Sequence, residues 1–207
     1  MAGRLGERGI MAGGRRLVYV SGAPGAGKSS LAGPLAAELG YALITKDTIK
    51  EALHDALGAP EPDLAWSRRL GGAAMELLWT LAGHAPAVVL EANFRPRSAY
   101  ERGRLTALGG RPVEVHCACP AEIAVARYNS RVTHPVHVIT ALPLAAMAEY
   151  DRPVGIGDLV AVDTTVPRRR AGGGRASARL PRGCLMPAAR MGGCGSGTFR
   201  MAARDRS

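Results

Sequence analysis

Long apolar runs are absent from this sequence of 207 residues. Its longest stretches, residues 17–20 and 87–90, fall far below the roughly 20 residues of a membrane-spanning helix, which excludes a helical span. The first sixteen residues carry Arg4, Arg8, Arg15 and Arg16 but no apolar core or cleavage-like site. They do not read as a secretory signal, and the expected location is cytoplasmic. Of the four cysteines, Cys117, Cys119, Cys184 and Cys194, no two stand in the C-x-x-C spacing of zinc or redox sites. Cys117 and Cys119 are instead expected to be small buried apolar residues, because Val113, Val115 and Cys117 alternate like one face of a strand. Lysine is scarce too: Lys28, Lys46 and Lys50 are the only three among 27 basic residues.

Basic charge is also missing from the middle of the chain, although the formal net charge is +10. Residues 1–16 hold four Arg and one Glu, residues 17–167 hold 13 basic against 15 acidic side chains, and residues 168–207 hold ten Arg and one Asp. A nearly neutral centre argues against a nucleic-acid partner except through the tail. After Pro167 the composition turns to Arg, Gly, Ala and Pro with no apolar period. Residues 168–207 are therefore expected to be a disordered Arg/Gly-rich tail, and residues 1–16 a flexible extension. The tail admits two readings, a basic arm for nucleic acid or an out-of-frame replacement of a covering helix. Residues 17–167 suit one domain of ordinary size.

Apolar periodicity in that domain predicts strands at 17–20, 41–45, 87–91, 112–118 and 158–163. Helices are expected from Lys28 to about Leu39, where Gly40 is a good stop, and then over 48–57. A longer helix is expected from Asp63 to about Ala82, with Leu64, Leu70, Leu77, Leu78 and Leu81 as core candidates. Three more are expected over 98–108, 120–131 and 144–150. Strands alternating with helices imply a parallel sheet covered on both faces, since parallel strands need crossover connections. The expected fold class is three-layered α/β.

Between the first strand and the first helix stands Gly22-Ala23-Pro24-Gly25-Ala26-Gly27-Lys28-Ser29, followed by Ser30. This satisfies G-x-x-x-x-G-K-[ST], the phosphate-binding loop. Glycines let backbone N–H groups turn inward around phosphates, and the helix N-terminus adds the positive end of its dipole. Lys28 would reach the β- and γ-phosphates while Ser29 offers a hydroxyl to Mg²⁺. A chance glycine-rich turn is the competing reading. One of only three lysines falling at the required position, between a strand and a helix, weighs against it. ATP and Mg²⁺ are the expected cofactors.

Asp47 follows the second strand at its carboxyl end, where parallel sheets bind ligands. Its carboxylate would accept or orient the proton of an attacking hydroxyl, and Lys50, a helical turn on, would hold an anionic acceptor or the developing charge. The alternative makes Asp47 or Thr48 a helix cap and Lys50 a solvated cation. Glu91 ends the third strand and is the candidate for the metal's outer shell; phosphate-loop proteins usually carry Asp there, so the longer carboxylate favours contact through water or with the acceptor, and otherwise it is a surface acid. Asn93, Arg95 and Arg97 on the next loop are acceptor-binding candidates. Arg127 and Arg131, four apart on one helix face, would close over a transferring phosphoryl group, and residues 132–137 read as a mobile lid. His134 and His137 suggest a metal at first sight. Pro135 breaks helical geometry between them and no third ligand is evident, so exposed or hydrogen-bonded histidines are expected.

These residues together resemble the P-loop kinases grouped with AAA-family ATPases, a set similar to polynucleotide 5′-hydroxyl kinase, zeta toxin and chloramphenicol phosphotransferase. The resemblance covers residues 17–167. It is carried by the phosphate loop, Lys46-Asp47-Thr48-Ile49-Lys50, Leu90-Glu91-Ala92-Asn93-Phe94 and Arg127-Tyr128-Asn129-Ser130-Arg131. It implies a five-stranded parallel sheet of the nucleoside-monophosphate-kinase type, Asp47 as the activating carboxylate, and Arg127 and Arg131 in the lid. A ring-forming motor is not expected, because the sequence shows no arginine finger, sensor motif or second helical domain. The expected function is transfer of the γ-phosphate of ATP to a small-molecule hydroxyl acceptor by a monomer or homodimer, with Lys28, Asp47, Arg127 and Arg131 catalytic. A nucleotide-dependent switch or bare ATPase is the alternative.

Overall fold

Five short apolar segments pair into one sheet in the computed structural model of the protein, which describes residues 14–58, 63–138 and 141–166. They are β1 (Arg16–Ser21), β2 (Ala42–Thr45), β3 (Ala87–Glu91), β4 (Val113–Ala118) and β5 (Asp158–Asp163). The order is β2-β3-β1-β4-β5, and every neighbouring pair is parallel. This is the expected α/β fold with a five-stranded parallel sheet of nucleoside-monophosphate-kinase architecture. Register places Val20, Glu91 and Thr45 side by side, so the loops leaving β1, β3 and β2 start from one edge.

The crossovers are α1 (Lys28–Leu39), α2 (Lys46–Leu57), α3 (Leu64–His84), α4 (Ala99–Ala107) and α5 (Ala121–Ser130). Side chains alternate across a strand, and β1 shows the consequence. Leu17 and Tyr19 join Leu78, Trp79, Phe94 and Leu105 on one face, while Val18 and Val20 join Leu31, Ala32, Leu35, Val115 and Cys117 on the other. Cys117 is buried, as the alternation implied, whereas Cys119, just after β4, is only half-buried against the same cluster.

Two expectations need correction. Leu64, Leu77 and Leu81 lie at the surface, because the buried stripe of α3 runs through Ser67, Leu70, Ala74, Leu78 and Ala82. A period of 3.6 leaves leucines one position off that stripe in solvent. The segment Leu144–Tyr150 is a helix with the expected bounds, but of the tighter 3₁₀ kind that often serves as a connector. Neither Asp47 nor Thr48 caps α2. Thr45 does, its Oγ1 accepting from the Thr48 amide at 3.1 Å, so the helix begins two residues earlier than expected. No helix among the described residues is long and apolar enough to cross a membrane. The expected tail with Cys184 and Cys194, and most of the amino-terminal extension, lie outside the described residues.

Candidate active site

The loop between β1 and α1 turns on three glycines with positive φ: Gly22 at 127°, Gly25 at 81° and Gly27 at 88°. At Gly25 the need is absolute, since a Cβ there would sit 2.0 Å from the Ala124 carbonyl oxygen of α5. Gly27 caps α1 in the left-handed conformation, with no side-chain acceptor and no acidic residue in the first turn. Neither the cap nor the first turn of α1 supplies an acid of its own, and helix dipole and N–H groups at this end together favour a bound anion.

Lys28 is only 5% exposed. Its ammonium donates to the carbonyl oxygens of Gly22 at 3.0 Å and Ala23 at 2.8 Å, so it folds back over the loop it follows. Burial pushes its pKa down, and the nearby Glu91 carboxylate is the main counterweight. Glu91 is equally buried, at 5%. Burial pushes its carboxyl up, Lys28 opposes the shift, and Asp47 adds to it. The Ser29 hydroxyl donates to Glu91 Oε2 at 3.3 Å, bringing the two expected metal-binding oxygens together.

Loop, Asp47, Glu91, Asn93, Arg127 and Arg131 line one cavity of about 260 Å³, with Pro24, Lys28, Ser29 and Ser30 among the loop residues facing it. The two arginines arrive differently from expectation. α5 ends at Ser130, and Arg131 follows it with extended backbone, its guanidinium over the Tyr128 ring at 4.4 Å. Arg127 donates to the carbonyl oxygens of Thr164 at 2.8 Å and Thr165 at 2.6 Å, tying α5 to the exit of β5. They share a cavity, not a helix face.

Lys50 and Arg95 do not line that cavity. Lys50 is buried between α2 and α3, where its ammonium donates to Ser67 Oγ at 2.8 Å and Ser67 donates to the Val136 carbonyl oxygen at 2.7 Å. Burial and the neighbouring Lys46 push its pKa down. Arg95 clasps the buried Glu101 at 2.9 Å, and Arg97 pairs with Asp151 at 2.7 Å. The segment read as a lid is fastened to α2: His134 meets Asp55 at 3.0 Å and His137 meets Glu51 at 2.9 Å. Both histidines are hydrogen-bonded, as expected.

Two features went unread in the sequence. Glu114, in the middle of β4, is 1% exposed. It accepts from the Tyr19 and Ser21 hydroxyls and from the Val154 and Gly155 amides, locking β1, β4 and the approach to β5 together. An acid inside an alternating apolar strand was the only available signal. A second cavity of about 550 Å³ adjoins the loop at Ala23, lined by His116, Cys119, Leu144, Met147, Tyr150 and Asp163 among others. Its wall comes from three distant segments, so spacing could not reveal it.

No curated protein matches the chain. Among solved structures, a candidate kinase from Chloroflexus aurantiacus is 29% identical with a TM-score of 0.64, the match covering 75% of this chain and 91% of that one. A sugar kinase from a Janibacter species is 21% identical with a TM-score of 0.46, covering 72% and 86% of the two chains. Shikimate kinase from Acinetobacter baumannii is 18% identical with a TM-score of 0.48, covering 72% and 83%. The family described as AAA domain matches residues 17–153, well over half of the chain, and the protein belongs to that family.

Proposed function

We propose that the protein is an ATP-dependent phosphotransferase that passes the γ-phosphate to a hydroxyl of a small molecule. One observation carries the reading: a single cavity is lined by the phosphate loop, two carboxylates and two arginines. That set of groups combines an anion cradle with a proton acceptor and charge-offsetting cations. The Chloroflexus aurantiacus relative, described as a candidate kinase, agrees with it.

Residues Gly22 to Ser30 would hold the triphosphate. Lys28 would exchange its two carbonyl partners for phosphate oxygens, a stronger charge-assisted pairing. The Ser29 and Glu91 oxygens form a hard, oxygen-only pair that fits Mg²⁺, Glu91 acting directly or through water. When bound, Mg²⁺ supplies charge neutralisation between the β- and γ-phosphates. Asp47 would orient the acceptor hydroxyl and take its proton, with Asn93 beside it. Arg127 and Arg131 would offset charge on the transferring group. Lys50 and Arg95, engaged with Ser67 and Glu101, would act by stiffening the walls around the acceptor. The larger cavity is sized for an organic portion of a reactant.

The test is phosphate transfer from labelled ATP·Mg to a panel of sugars, nucleosides, sugar nucleotides, antibiotics and polynucleotide 5′ ends. Asp47→Ala should lower transfer by about 10²–10⁴-fold, the range of general-base effects, while leaving ATP binding intact. Transfer that survives this change would remove Asp47 from the role. ATP hydrolysis that ignores both the change and every acceptor would favour a switch or bare ATPase instead.

A further inference from the structure

Helix α2 turns three donors, Glu51, His54 and Asp55, toward the segment that leaves α5. His134 Nε2 lies 3.0 Å from Asp55 Oδ1, and the rings of His54 and His134 meet edge to face with centroids 5.2 Å apart. One ligand atom from each of His54, Asp55 and His134 lies within 4.8 Å of the other two. His54 is 8% exposed, and its Nδ1 has no hydrogen-bond partner. A buried imidazole nitrogen left without a partner is costly and rare, unless something else satisfies it.

We propose that His54, Asp55 and His134 form a binding site for a divalent transition metal of the zinc class, separate from the phosphate cavity. Two imidazoles and one carboxylate, with water as a fourth ligand, make a donor set suited to Zn²⁺. The same set is poor for Mg²⁺, which prefers oxygen ligands in octahedral array. The two halves of the site are held in place without the metal. His137 pairs with Glu51 at 2.9 Å, and Ser67 donates to the Val136 carbonyl at 2.7 Å.

Proton placement follows from the local bonds. The Val136 amide donates to His134 Nδ1 at 3.2 Å, which leaves the ring proton on Nε2, facing Asp55. Metal on Nε2 moves that proton to Nδ1 and gives up the 3.2 Å contact. Only a cation with strong affinity for imidazole would drive the exchange. Its effect would be to tie α2, whose first turn carries Asp47, to the segment that begins at Arg131. Asp47 and Arg131 both line the phosphate cavity, so the metal would fix their separation without touching a reactant.

The experiment uses the untagged full chain carrying Cys184→Ser and Cys194→Ser, so that those thiols do not compete. Co²⁺ is titrated and followed by visible absorption, and Zn²⁺ by calorimetry and thermal melting. Expected are one equivalent bound, four-coordinate Co²⁺ bands bleached by Zn²⁺, and a melting temperature that rises with Zn²⁺ but not with equimolar Mg²⁺. His134→Ala and Asp55→Asn, at partly exposed positions that leave the core intact, should each weaken binding by more than the roughly 10–100-fold typical of outer-shell partners. His54→Ala should do the same with its circular dichroism unchanged. Failure of Co²⁺ to give such bands, or an affinity indifferent to His134→Ala and Asp55→Asn, would overturn the assignment.

Discussion

Replacing Gly25 by alanine adds one methyl group where the phosphate loop meets α5. The new Cβ would stand 2.0 Å from the Ala124 carbonyl oxygen and 2.9 Å from its carbon, where real contacts do not fall below 3.0 Å. The gap must open by roughly 1 Å, and the obstacle is helix backbone, so the loop moves. Alanine in the left-handed conformation costs a further ~1–2 kcal/mol. Loop amides aimed at the phosphate oxygens of a bound nucleotide would contribute about 1.5–3 kcal/mol each as charge-assisted hydrogen bonds. Misplacing two of them costs about 3–6 kcal/mol, or about 10²–10⁴-fold in Kd for ATP·Mg. The fold itself loses much less, and melting should fall by only a few degrees, at about 2–4 °C per kcal/mol for a chain of this size. Gly103→Ala is the matched control: it lies within α4 with nothing inside 4 Å of an added Cβ. There the same methyl should stabilise by about 0.5–1 kcal/mol and leave nucleotide binding alone. Calorimetry with a non-hydrolysable ATP analogue, beside thermal melts, reads both. A Gly25→Ala protein that binds the analogue as tightly as the parent chain would refute the reasoning.

Glu114→Ala leaves the Val154 and Gly155 amides without their acceptor, and at about 1–3 kcal/mol for each group should lower unfolding free energy by about 2–6 kcal/mol, read as a shifted urea midpoint. His116 lies half-buried against Ser21 at 2.9 Å, and burial pushes its pKa below 6.5. The unfolded chain then binds the proton first, so the stability His116 contributes is complete above pH 6.5 and lost as pH falls through the folded value. Urea midpoints between pH 5 and 7 should slope upward with pH, and His116→Asn should flatten that slope. Arg127→Lys should cost about 1–2 kcal/mol in thermal melts, because a lysine cannot fork across the Thr164 and Thr165 carbonyls.

What could be read from the sequence was whatever one segment dictates by itself. The phosphate loop is eight consecutive residues between a strand and a helix, so its signal needs no tertiary knowledge. Asp47 and Glu91 were found because a parallel sheet puts the carboxyl ends of its strands on one edge, and apolar runs mark those ends. Other features depend on partners far along the chain. Lys50 looked free to meet an acceptor until Ser67 and Val136 buried it. Arg131 looked helical, but the helix stops one residue short of it, within the usual uncertainty of helix ends. Glu114 draws its donors from residues 19, 21, 154 and 155. The two side chains that gather with His134, His54 and Asp55, stand about eighty residues away on α2, so the spacing of His134 and His137 could not reveal them.

Lys28 and Glu91 give the site its electrostatic character. Each is buried, each is driven toward its neutral form by burial, and each is the other's largest relief. A pair in that condition contributes little to holding the fold together, since desolvation offsets the attraction. What it provides is a prepared site: both groups line the cavity already withdrawn from water. An incoming triphosphate with its divalent ion carries both complementary charges, so binding would draw Lys28 and Glu91 back toward their charged forms together. Lys28 makes the larger change, because the carbonyls of Gly22 and Ala23 that now hold it are weaker partners than phosphate oxygens. The ammonium group that bonds the loop's own carbonyls is thus the one that the nucleotide would recruit.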